Sequence, residues 1–338
     1  MSEISPHIKS EKRGVLGLLT LDRPQALNAL DHGMIGAISA QLQVWAADDA
    51  IKTVAIRGEG ARAFCSGGDI RAVQQWAVAG SDAGVDLLRD EYLMNALIGA
   101  YPKPYVALIH GICMGGGAGV SVHGKYRLAD ASLSFAMPET GIGFIPDVGA
   151  SFFLSRLPDE MGMYLGLTGS PIGLGDALDA GLMTHVVSQT DFDAVIDALA
   201  QGRDFSPFVK KPKPGLLATH RKRIATIFAA PSVEAILERL DRDGSDFARE
   251  TAQTIRTCSP TSLKLVFRQL RTARNLNLKQ CLAMEFRLAN RVLPAHDFRE
   301  GVRAALIDKD RNPKWQPASL AGVGALDSFF APIQNELF

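Results

Sequence analysis

Apolar residues fall in short, dense clusters over the first two-thirds of the chain and at helical spacing over the last third. GVLGLLTLD (residues 14–22), TVAIRG (residues 53–58) and PYVALIHG (residues 104–111) are short runs rich in Val, Leu and Ile, and predict buried strands. YRLA and LSFA, within residues 126–136, predict two more. Between the first two runs, Ile35, Ile38, Leu42 and Trp45 recur on one helical face behind a cap at Asp31. A second helix is predicted over about residues 86–100, and a third over SFFLSRL. This alternation predicts an α/β chain with a largely parallel sheet. From about Pro158 the pattern turns helical: MGMYLGLTG, DFDAVIDALA, SVEAILERLDRD, PTSLKLVFRQL and residues 278–292. KKPKPG (residues 210–215) reads as an insertion or linker.

One run needs a decision. YVALIHGICMGGGAGVSV (residues 105–122) has the length and apolarity of a membrane span. Its character changes midway, from aliphatic VALI to five glycines between Gly111 and Gly119. That change predicts a buried strand, a tight turn and a closely packed helix start.

Composition narrows the class. Lys plus Arg equals Asp plus Glu, at 36 each, and the hydrophobic fraction is 47%. Zero net charge argues against nucleic acid as a partner, and the hydrophobic fraction against disorder. Cys65, Cys113, Cys258 and Cys281 have no metal-ligand spacing, so no metal site is expected and the thiols read as reduced. The polar start MSEISPHIKSEKRG has no apolar core and no Arg-rich leader, which predicts a cytoplasmic protein rather than a secreted or mitochondrial one.

Candidate chemistry lies in three loops. GEGARA (residues 58–63) follows a strand and loosely fits a dinucleotide fingerprint, but a further glycine-rich loop follows it where a helix should open. No Walker loop and no GxSxG elbow occurs. His110 and His123 read as packed or capping histidines. The informative loops are FCSGGDI (residues 64–70), GICMGGGAG (residues 111–119) and MPETGIGFIPDVG (residues 137–149). Glycine loops let backbone amides approach a ligand, and two such amides could grip one oxyanion. Glu139 and Asp147 flank the apolar stretch Ile142, Phe144 and Ile145. Carboxylates there are costly unless they face a site or partner, and proximity would raise one of their pKa values.

LTLDRPQALNAL, AFCSGGDI, IHGICMGGGAG and FAMPETGIGFIPDVGASFFLSRL together resemble the crotonase (enoyl-CoA hydratase/isomerase) superfamily. EYLMN, SVHGKYR, SPTSLK and HDFREGVRAALIDKDRNPKW resemble its hydrolase branch. The resemblance implies a crotonase-type ββα spiral core over residues 1–200, with a helical C-terminal region over residues 201–338 packing on it. It implies an oxyanion hole from the amides of Gly68 (with Gly67 as its neighbour) and Gly116. Hydratases of the superfamily carry a second glutamate where this chain has Gly119. The hydrolase branch instead pairs the Glu139 position with Asp147 and places Glu91 near the substrate. The implied reaction is hydrolysis of a short 3-hydroxyacyl-CoA thioester of valine breakdown, 3-hydroxyisobutyryl-CoA first among them. Glu139 would act as general base or nucleophile, and Asp147 would bind the 3-hydroxyl. The alternative is hydration or isomerisation of an enoyl-CoA. Coenzyme A enters as part of the acyl-CoA substrate, no other cofactor is implied, and the chain is a possible homo-oligomer.

Overall fold

The computed structural model describes residues 5–338; the first four residues of the polar amino terminus lie outside the described residues. The chain groups into two compact units that no single cut separates. One comprises residues 1–69, 90–136 and 172–218, the other residues 70–89, 137–171 and 219–338.

Among the described residues, the first unit holds all the strands. They are β1 (Ile8–Arg13), β2 (Leu16–Leu21), β3 (Thr53–Gly58), β4 (Ala63–Cys65), β5 (Tyr105–Ile109), β6 (Ile112–Met114), β7 (Tyr126–Ala129), β8 (Ser134–Ala136) and β9 (His185–Val186). They form a six-stranded sheet ordered β1-β2-β3-β5-β7-β9 and a three-stranded sheet ordered β4-β6-β8. Apart from the β1–β2 hairpin, every pairing is parallel. The pairs β3/β4, β5/β6 and β7/β8 each give one strand to each sheet, so the chain advances both sheets together. This is the expected spiral.

Burial explains the strand sequences. β2 (LGLLTL) is buried at every position, as a parallel strand covered on both faces must be. Behind the large sheet, Leu16, Leu18, Val106, Leu108 and Leu128 pack with Val195, Ile196 and Leu199 of the helix Phe192–Ala200. Residues 105–122 resolve into β5, a turn, β6 and the short helix Gly116–Gly119, as the change of character predicts. Among the described residues no helix is long and apolar enough to cross a membrane.

The second unit is helical. It includes Met161–Thr168, Val233–Asp243, Asp246–Thr257, Pro260–Ala273 and Leu278–Val292. Ser232, Ser245, Ser259 and Asn277 cap the last four through side-chain oxygens. The helix Ile70–Val78 was not foreseen from the sequence.

Candidate active site

In the first unit the two glycine loops meet. After β4 the chain turns at Gly67, whose φ of +118° suits glycine. Leu30 brackets the turn: its N–H donates to the Gly67 carbonyl at 2.8 Å, and its carbonyl accepts from the Asp69 N–H at 2.8 Å. Gly116 opens the helix that follows β6. A Cβ placed at Gly116 would lie 3.2 Å from the Gly68 nitrogen and 2.5 Å from Oε1 of Glu91. A Cβ at Gly67 would lie 3.8 Å from the Gly116 nitrogen. Both loops thus present amides within a few ångströms of each other, beside the carboxyl of Glu91. Glu91 lies on the helix Ala83–Gly99 and is 2% exposed. Among the described residues neither the Gly68 nor the Gly116 N–H donates to a backbone carbonyl. A Cβ at Gly68 would meet nothing within 4 Å, so that residue borders open space. Two amides of this kind can polarise a carbonyl oxygen and hold an oxyanion.

The LDRPQALNAL segment fixes the first loop. The Arg23 guanidinium donates twice to Asp69 Oδ2 at 3.0 Å and once to the Ala29 carbonyl. Asn28, in the left-handed region, donates through Nδ2 to the carbonyls of Glu59 and Ala63. Sequence reasoning assigned these residues no role, although the motif containing them was visible.

In the second unit Glu139 opens the short 3-10 helix Glu139–Ile142, and Asp147 lies at the far end of the same loop. They are 7% and 6% exposed. C-terminal residues clamp both ends of this loop. The Ser259 N–H donates to the Thr140 carbonyl at 3.1 Å. Ser259 Oγ donates to Asp297 at 2.6 Å, and Phe144 packs on Phe298. Past Asp147 the backbone turns through Val148 (φ +52°) and Gly149 (φ +85°). A β-branched residue held there costs about 1–3 kcal/mol, so its surroundings must impose it. They do: Gln269 donates to the Pro146 carbonyl and to Ser151 Oγ, each at 2.7 Å. The Glu285 carboxylate accepts from the N–H groups of Gly149 and Ser151, each at 2.7 Å. Burial pushes Glu285 up to about 8, against the opposing pull of those hydrogen bonds; the charge of Asp147 adds to the rise.

Glu285 was missed by sequence reasoning, yet a signal existed. In the helix Leu278–Val292 it shares the buried face with Cys281, Leu282, Leu288, Ala289 and Val292. A lone acid at an apolar position of an amphipathic helix is a buried acid in need of donors. GEGARA leads into β4 rather than into a helix. His110 is buried, lowered in pKa by that burial, and 2.8 Å from the Gly60 carbonyl through Nε2. All four cysteines are free and buried. Among the described residues no three His, Cys, Asp or Glu side chains cluster as metal ligands.

Comparison with known proteins agrees with this architecture. The sequence profile of the family described as "Enoyl-CoA hydratase/isomerase" matches residues 16–330. The 3-hydroxyisobutyryl-CoA hydrolase, mitochondrial, of Xenopus tropicalis is 46% identical over 341 residues, covering 96% of this chain and 88% of that protein. A carnitinyl-CoA dehydratase from Mycobacterium thermoresistibile superposes with a TM-score of 0.95 at 38% identity, covering 99% of each chain. An enoyl-CoA hydratase from Rhodobacter sphaeroides 2.4.1 gives 0.92 at 37% identity, covering 97% of this chain and 98% of that one.

Proposed function

The chain belongs to the enoyl-CoA hydratase/isomerase family, and from that premise we propose that it is an acyl-CoA thioester hydrolase that converts 3-hydroxyisobutyryl-CoA to 3-hydroxyisobutyrate and coenzyme A in valine breakdown. One observation carries the choice of hydrolysis over hydration. The helix after the glycine run ends at Gly119, with no carboxylate there, while Glu139 and Asp147 are both present and buried. A two-glutamate hydration site is therefore incomplete. The names of the 42–46% identical relatives support the same choice.

In the proposed reaction the Gly68 and Gly116 amides polarise the thioester carbonyl. Glu139 takes a proton from water as it attacks the carbonyl carbon, or attacks that carbon itself to give a mixed anhydride that water then opens. The tetrahedral oxyanion is held by the two amides, each such donor contributing roughly 3–4 kcal/mol to the transition state. The C–S bond breaks, and the departing thiolate takes a proton to leave as free coenzyme A. Asp147 binds the 3-hydroxyl, and Glu91 orients the acyl group beside the amides. A site built around a hydroxyl discriminates strongly against the acyl-CoA that lacks it. This chemistry calls for no metal or redox cofactor.

A thiol-release assay with 3-hydroxyisobutyryl-CoA, isobutyryl-CoA and crotonyl-CoA tests the reading. Rapid thiol release is expected from the hydroxylated substrate alone. Glu139→Gln and Asp147→Asn should each lower that rate by at least about 100-fold. Near-normal turnover by either variant removes that residue from the reaction. The names of those two proteins of known structure favour a second reading, hydration of an enoyl-CoA. Loss of enoyl absorbance from crotonyl-CoA without thiol release would establish it. A cytoplasmic location and a homo-oligomeric state belong to the same proposal. The relatives are named mitochondrial, so imaging of the full-length protein and light scattering decide these two points.

A further inference from the structure

We infer that Glu285 is a positioning residue for the proposed hydrolysis: from a distant helix it holds the Val148–Gly149 corner, and through it the orientation of Asp147. The inference rests on the reading of Asp147 given above.

The helix Ala150–Leu154 starts at Gly149, and no side chain of its own caps it. Its first N–H groups need acceptors, and the segment feeding it is bent through two successive left-handed residues. Glu285 answers both needs. Oε2 accepts from the Gly149 N–H and Oε1 from the Ser151 N–H, so one carboxylate straddles the corner. Asp147 enters the same turn, its carbonyl accepting from the Ala150 N–H at 2.7 Å. Any relaxation at residues 148–149 therefore moves Asp147. Gln269 braces the preceding Pro146 carbonyl, so the corner has little other freedom.

A merely structural brace would not require an acid. A buried acid must either carry a costly charge or hold a proton, and the charge of Asp147 acts on this one. Cys281, one turn earlier on the same helix, also feels Glu285, and Arg156 acts on that thiol with the opposite sign. Burial, the Gly149 and Ser151 N–H groups and the Asp147 charge thus act on Glu285, while Glu285 and Arg156 act on Cys281. The Asp147 charge and ionisation of Glu285 therefore oppose each other.

The test compares wild type, Glu285→Gln, Glu285→Asp and Asp147→Asn by thiol release across pH 5–9, with circular dichroism and thermal melts for each. Gln is nearly isosteric, but its amide offers one of the two N–H groups a donor instead of an acceptor. Expected for Glu285→Gln is a kcat at least tenfold lower, a KM within about threefold, and a kcat–pH limb displaced by at least half a pH unit. Asp keeps the charge but is one carbon shorter; it should lower kcat while leaving the limb nearer its wild-type position. If Glu285→Gln does not fold, the Asp variant carries the test: lowered kcat with unchanged KM supports the inference, and wild-type kcat overturns it. A folded Glu285→Gln with wild-type kcat and pH profile also overturns it, provided Asp147→Asn has lost activity. If Asp147→Asn is itself fully active, the reading of Asp147 fails, and the inference fails with it.

Discussion

Two glycines of similar appearance in the sequence differ sharply in what surrounds them. A side chain at Gly116 would press on the Glu91 carboxyl and the Gly68 nitrogen, whereas one at Gly68 meets open space. Gly116→Ala should therefore cost about 1–3 kcal/mol of stability, because Glu91 is too deeply buried to retreat. Gly68→Ala should stay within about 0.5 kcal/mol of wild type. Its methyl nevertheless enters the space bordering the amide, so thiol release should fall while the urea midpoint holds. A lowered midpoint for Gly68→Ala would show that the space is not open. Much of this was legible at residue level: a run of three glycines after a buried strand announces close backbone approach. What lies against Gly116 was not, because Glu91 is 25 positions earlier and reads alone as an ordinary helical acid. Glu285 was half-legible, since an acid on an apolar stripe signals a buried charge but does not name its donors.

At the scale of elements, long strongly periodic helices were read well and strands unevenly, while several other helices, Ile70–Val78 and Asp246–Thr257 among them, were not read. The long helix Leu278–Val292 matches its expected bounds, because fifteen residues of 3.6 periodicity leave little ambiguity. β1 was missed because IKSEKR is polar; it lies at the sheet edge, exposed at three of its six positions. The three-stranded sheet was not foreseen as a sheet. Its strands are three residues each, and parallel partners some 20 to 50 residues apart leave no local trace. The motifs SPTSLK and HDFREG carried the resemblance without a physical reason, and the fold supplies one. Ser259 caps the helix Pro260–Ala273, donates to buried Asp297, and through its N–H holds Thr140 beside Glu139. Ser259→Ala removes the cap and leaves a buried carboxylate short of a donor. The expected cost is about 1–3 kcal/mol, read as a lower urea midpoint with an unchanged m-value. An unchanged midpoint would mean that Asp297 finds full compensation from its bond to the Gln316 N–H.

For the whole molecule, equal numbers of acids and bases conceal a charge that folding must bury. The folded chain holds the Glu285 proton until about pH 8, whereas the unfolded chain releases it near the ordinary glutamate value of 4.5. Between these values the native state binds more protons, so this group's contribution to stability is full below about 4.5 and is lost as pH rises towards 8. One proton gives a slope of up to about 1.4 kcal/mol per pH unit. His110 and His185 act in the opposite sense. Burial lowers both, so their contribution is present above 6.5 and is lost as pH falls below it. The two effects oppose each other on the acid side of 6.5 and separate above it, where the histidines are neutral in both states. The buried thiols are pushed up from 9.0 and titrate later still. Urea unfolding of the wild type should accordingly show stability falling between about pH 7 and 8. That fall should vanish in Glu285→Gln and shrink in Asp147→Asn, because Asp147 supplies part of the shift. A wild-type profile that is flat over this interval, or a Glu285→Gln profile that falls as steeply, would show that Glu285 is ionised in the native protein at neutral pH. The corner at Val148 would then be held by a full charge rather than by a protonated carboxyl.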